Sequence, residues 1–144
     1  PPPRPDIECP SVAVRDGTET WRVYSSGHDG DPAYLVVQGS ITKTARECAF
    51  SGQTGVSIKY GVAGRVLLGP KGSPGTFTLP VRAAFVRPGG EAVQSDLVRV
   101  SVTVPAGESR ADFSHVSEGF SYDVPPEDIV NNYVLYLGFD QKGR

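Results

Sequence analysis

His28, Asp29 and Asp31 share one loop, Gly27 to Pro32, where an imidazole and two carboxylates could approach a divalent cation. Calcium takes about six to eight oxygen ligands, and this loop lacks both the spacing and the closing glutamate of an EF-hand. Glycine, aspartate and proline in such density make ordinary turns, so the loop reads as a turn and no metal is expected. The other histidine, His115, would need a serine or cysteine within hydrogen-bond reach and an acid to orient it. Ser114 and Ser117 are close in sequence, but strand alternation sends Ser114 to the opposite face. No Gly-x-Ser-x-Gly elbow occurs in the chain.

Asp123, Glu127 and Asp128 are near one another, as the paired acids of sugar chemistry must be. Acids just after Pro125-Pro126 are better explained by the dipole of a short helical turn near residues 126–131. Gly69 to Gly75 looks like a phosphate loop but lacks the Gly-Lys-Ser/Thr ending and a following helix. The reading is therefore no catalytic residue and no cofactor. Tyr34, Tyr60, Tyr122, Tyr133 and Tyr136 are the candidates for a binding surface, because flat amphipathic rings suit a carbohydrate or peptide groove. Strand tyrosines also pack with the hydroxyl at a rim. An exposed sheet edge is a separate route to a partner, by pairing with its extended segment.

Cys9 and Cys48 have neither the CxxC spacing of a redox pair nor a histidine close by as base. Two buried reduced thiols are one reading. The one adopted is a structural disulfide tying the N-terminal strand to the end of a later one, which suits an oxidising compartment. Closing a loop of about 40 residues stabilises a fold by roughly 4 kcal/mol on chain entropy.

The elements that must position these residues are strands. Phe77, Leu79, Val81, Ala83 and Phe85 recur with period two, as do Val98, Val100, Val102 and Val104. Val56, Ile58, Tyr60 and Val62 form a third row, and Tyr133, Leu135, Leu137 and Phe139 a fourth. Such alternation marks strands half buried against a core. Shorter strands are expected at 11–15, 19–25, 110–115 and 120–124, with a longer one at 34–44 bulged near Gly39. The Val56 row should bend at Gly61 and Gly64 and continue through Leu68. The expected fold is an all-β antiparallel β-sandwich, immunoglobulin- or fibronectin-III-like, with eight or nine strands. Residues 9–140 form its single domain, 1–8 a proline-rich stem and 141–144 a polar tail. The run PPPRP favours extended polyproline and cannot pair into a sheet, so it reads as a spacer before it reads as a PxxP ligand.

The 144 residues suffice for one domain burying about 70% of its unfolded surface. A formal net charge of -2 with scattered Lys and Arg argues against nucleic acid or an anionic membrane as partner. No apolar run nears the roughly 18 residues that span a bilayer. The chain starts at Pro1 and contains no methionine, so the natural N-terminus is expected to be missing through processing or truncation, and an export signal or lipid-bearing cysteine could have been lost with it.

Residues 102–113, Val-Thr-Val-Pro-Ala-Gly-Glu-Ser-Arg-Ala-Asp-Phe, resemble a strand–turn–strand corner of extracellular immunoglobulin-like domains. More broadly, Cys9-Pro10, Arg46-Glu47-Cys48, Gly61 to Val66, Leu68-Gly69-Pro70 and Tyr136 to Asp140 resemble small envelope lipoproteins of alphaproteobacteria. That resemblance implies a lipidated cysteine upstream of Pro1 and a periplasmic or surface β domain, held at the outer membrane. It carries no enzymatic activity. The function expected is a non-catalytic structural or accessory subunit contacting envelope protein partners, with membrane attachment only through the lipid. The alternative is a secreted or surface-exposed binding module for glycan or peptide, and an enzyme built on His28 or His115 ranks last.

Overall fold

The computed structural model describes residues 9–123 and 133–142. The proline-rich stem at 1–8 and the short helical turn near 126–131 lie outside the described residues, as do Glu127 and Asp128. Eight strands are described: β1 (Ser11–Ala13), β2 (Thr20–Tyr24), β3 (Leu35–Ser51), β4 (Gly55–Leu68), β5 (Gly75–Val86), β6 (Ala92–Val104), β7 (Arg110–Asp123) and β8 (Val134–Phe139). One 3₁₀ turn, Pro32–Tyr34, precedes β3.

The strands form two four-stranded sheets, ordered β1-β8-β5-β6 and β2-β3-β4-β7. Every ladder is antiparallel except β1 with β8, which is parallel. The chain is thus an all-β sandwich. In an immunoglobulin sandwich the last two strands are neighbours in one sheet. Here β7 and β8 lie in opposite sheets, and β8 pairs with β1 and β5. The two-layer architecture matches the expectation while the order of connections differs from that family's.

The alternating rows face each other across the sandwich. Towards one end Val56, Ile58, Tyr60, Phe85, Phe120, Tyr133, Leu135 and Leu137 pack together. Towards the other, Trp21, Val37, Val66, Leu79, Val81, Val100, Val102, Phe113 and Phe139 do so. Each large side chain buried this way contributes roughly 1.5–3 kcal/mol.

Two elements, β7 and β3, differ from expectation for physical reasons. β7 is one strand where two were expected, because Gly119 absorbs the irregularity at φ +73°. A Cβ at Gly119 would sit 1.9 Å from the Ile58 carbonyl oxygen, so the chain needs glycine there. β4 is the one long strand expected, continuing through Gly61 and Gly64 to Leu68. Gly64 is there for close approach, since a Cβ would lie 2.7 Å from the Phe113 ring and 2.0 Å from the Ser40 carbonyl oxygen. The irregularity of β3 falls between Ile41 and Lys43, two residues beyond the expected bulge.

Cys9 and Cys48 are joined in a disulfide with Cα atoms 5.7 Å apart. The bond fixes the residues before β1 against the far half of β3. The Arg46 guanidinium reinforces that join by donating to the Pro10 carbonyl oxygen.

Candidate functional site

The structure corrects the expectation of one tyrosine-lined surface: Tyr60, Tyr122 and Tyr133 gather in one core cluster, with the Tyr122 and Tyr133 ring centroids 5.4 Å apart, while Tyr34 and Tyr136 lie elsewhere. Tyr60 and Tyr133 are buried in the core, and Tyr122 is half-buried against Phe85 at 4.4 Å between ring centroids. Burial, with Tyr133 beside it, pushes the Tyr122 phenol well above the ordinary tyrosine range. Tyr34 closes the 3₁₀ turn and Tyr136 lies on the outer face of the first sheet. The alternation was a sufficient signal for two of them. Tyr60 shares the parity of Val56 and Ile58, and Tyr133 that of Leu135 and Leu137.

The His28 loop folds onto itself. The His28 ring stacks on Tyr34 at 3.6 Å with planes 6° apart. Lys71 approaches the other partner of that stack, 5.3 Å from the Tyr34 centroid. Asp31 accepts the Ala33 N–H at 3.1 Å, so its carboxylate caps the 3₁₀ turn. Asp29 lines a cleft beside β2 instead. Among the described residues no group of three or more His, Cys, Asp or Glu side chains is placed to hold a metal.

His115 and Ser114 sit on opposite faces of β7, as alternation requires. His115 is opposite Val62 on the core side, and Ser114 is opposite Ala63 on the outer side. Ser117 does share the core side and lies opposite Tyr60. Its hydroxyl accepts the Gly119 N–H at 3.3 Å. The Tyr60 hydroxyl is buried with no hydrogen-bond partner of normal geometry among the described residues. Burial raises its pKa, the nearby Ser117 hydroxyl counters part of that, and Asp96 adds to it. Asp96 is opposite Ala83, and Gln94 opposite Phe85, so both share the core side of β6 with Val98. Yet both are exposed, so the sandwich opens along that edge. Asp123 accepts from Thr54 at 3.2 Å at the opposite end of β4.

Two neighbouring hollows lie where the chain crosses from β1 to β2. One, of about 470 Å³, runs between β2 and the first half of β5 and is lined by Trp21, Arg22, Val23, Thr78, Pro80 and Gln141. The other, of about 390 Å³, is on the outer face of the first sheet, with Ala84, Tyr136 and Gly138 on its floor. Arg15, Arg82 and Lys142 stand around it. The Arg15 guanidinium lies 3.9 Å above the Tyr136 ring, a cation–π contact. Arg82 is tied to Asp140. Gln141 borders both hollows.

The first hollow has open backbone on both walls. Among the described strands β2 has only β3 as neighbour. Glu19 and Ser25 bond to Ile41 and Tyr34, so by alternation Thr20, Arg22 and Tyr24 turn their N–H and C=O groups to the open side. Opposite, β8 pairs with β5 only from Val81 onward, leaving Thr78 beyond the end of that ladder. Sequence reading missed this place, since edge status depends on which strands pair across long separations.

Comparison with family models, curated proteins and solved structures gives no match to this chain. Any functional assignment therefore rests on the geometry.

Proposed function

We propose that this is a non-catalytic domain of the cell envelope, exported to an oxidising compartment and tethered at its N-terminal side, that works by contacting another protein. The observation that carries the reading is the Cys9–Cys48 disulfide. Such bonds persist where thiols are not kept reduced. This one also fixes Cys9, at the N-terminal side of the described fold, to β3. The placement of His28 in a ring stack and of Ser114 and His115 on opposite faces supports a contact role over nucleophilic chemistry.

The test is cross-linking in the native envelope, with the mass of the mature protein measured in parallel. A specific protein partner and a lipid-sized mass increment ahead of the stem are expected. A diffusible, unlipidated product without an envelope partner would overturn the reading. That outcome would favour a secreted binding module, for which the Tyr136 platform beneath Arg15 is the supporting feature. Screening of glycans and peptides against a Tyr136→Ala variant would then be decisive.

A further inference from the structure

Gln141 occupies the free edge of β2 as a neighbouring strand would. Its side-chain amide accepts the Arg22 N–H at 3.3 Å and donates to the Arg22 carbonyl at 2.5 Å. Two residues paired across an antiparallel ladder exchange that same couple of bonds. Thr20 and Tyr24, on either side, keep their outward groups unpaired by any described strand.

We infer that β2 is a docking edge for an extended segment of a partner protein, with the Gln141 carboxamide as its removable plug. The inference rests on the contact reading above and names the surface and the chemistry of the partner. A strand added beyond β2 points alternate side chains to the two faces of the sheet. Those on the core side come level with Trp21 and Val23 and enter the hollow against Thr78 and Pro80. Apolar, compact residues suit those positions. The residue between them faces outward, directly opposite Arg22, which is exposed and donates to Gln38 at 3.3 Å. Opposite charge is favoured at such a cross-strand pair. The partner segment is therefore apolar–acidic–apolar, extended, with no proline at the acidic position.

A second copy of this chain fits less well. Pairing two β2 edges along their full length sets Arg22 against Arg22, and like charges directly opposite are unfavourable.

The probe is the peptide Ac-Thr-Val-Glu-Val-Thr-NH2, titrated against the full chain by NMR. A Gln141→Ala variant, which empties the edge without touching β2, is expected to bind about 2- to 10-fold more tightly, the worth of one ordinary hydrogen bond. A peptide N-methylated at the glutamate should lose at least tenfold, because it can no longer donate to the Arg22 carbonyl. Shifts should concentrate at 20–24 and at Thr78. Equal binding of the methylated peptide, no gain from Gln141→Ala, or dimerisation of that variant in sedimentation would each overturn the inference. Unchanged thermal melting of the variant shows that its fold is intact. A partner captured in the envelope that cross-links away from β2 leaves the contact role standing and removes this edge from it.

Discussion

Arg82 holds Asp140 by donating from both Nε and Nη2 to one carboxylate oxygen, at 3.1 and 2.9 Å. The pair joins the middle of β5 to the end of β8, and the Asp140 backbone N–H continues the join by donating to the Pro80 carbonyl. Arg82's hydrogen bonds hold the Asp140 carboxyl below the ordinary carboxylate range, against the cost of desolvation and with help from the Lys142 N–H. Because the folded carboxyl is the stronger acid, its contribution is complete above the unfolded-state value of about 4 and is lost as pH falls through the folded value. Asp140→Asn should therefore destabilise the protein at pH 7 and flatten its acid limb below about pH 4. The partners are partly exposed, so a loss of about 1 kcal/mol at pH 7 is expected. Urea melts across the acid range would check it. An unchanged acid limb in the variant would sink it.

Removing the disulfide should cost far more. Cys9 and Cys48 are 39 residues apart, and opening a loop of that size restores about 4 kcal/mol of chain entropy to the unfolded state. The double variant Cys9→Ala/Cys48→Ala avoids free thiols and should melt roughly 10 °C lower than the parent. The parent scanned in reductant should approach the same melting temperature. If reductant leaves the melting curve of the parent unmoved, the bond does not staple the fold.

Gly119 and Gly107 offer a matched comparison of two backbone effects. Both have positive φ, +73° and +84°, which costs an alanine about 1 kcal/mol. At Gly107 a Cβ would meet nothing within 4 Å, so Gly107→Ala should cost only that amount. At Gly119 the same Cβ would collide with the Ile58 carbonyl at the irregularity of the β4–β7 ladder. Gly119→Ala should therefore lose at least about 2 kcal/mol more in denaturant titrations. Equal losses at the two sites would mean that β7 can shift away from β4 cheaply.

What the sequence makes legible is local. Rows such as Phe77 to Phe85 identify both the strand and its core side, because period-two burial is written in consecutive residues. The cysteine pair is legible because nothing else near Cys9 or Cys48 gives either thiol a different use. Pairings across the chain leave no local trace. The parallel match of Ser11 with Val134 follows from packing of the whole sandwich. So does the open edge of β2, and with it the position of Gln141, which a sequence reading assigns to a polar tail. β7 was hard for a different reason: Gly119 interrupts the alternation by one residue, which looks like a strand end when seen without β4 beside it.

The buried hydroxyl of Tyr60 separates packing from polarity in the core. The ring is 2% exposed and stacks near Phe120, with centroids 6.3 Å apart, so its apolar burial is fully used. The hydroxyl has no partner of normal geometry among the described residues, and leaving such a group unpaired costs about 1–3 kcal/mol. Tyr60→Phe keeps the ring and removes the cost, so it should be neutral or stabilising by about 1 kcal/mol. Ile58→Ala, one pleat away in the same row, should lose about 2–5 kcal/mol through the cavity it leaves. The phenol's raised pKa adds a second readout. The unfolded chain ionises Tyr60 first as pH rises past about 10, so this group's contribution is complete below that value and is lost as pH climbs through the folded one. Tyr60→Phe should accordingly soften the alkaline loss of stability. A destabilised Tyr60→Phe variant would mean that the hydroxyl holds a hydrogen bond in solution, with the Ser117 side chain the first partner to test by Ser117→Ala.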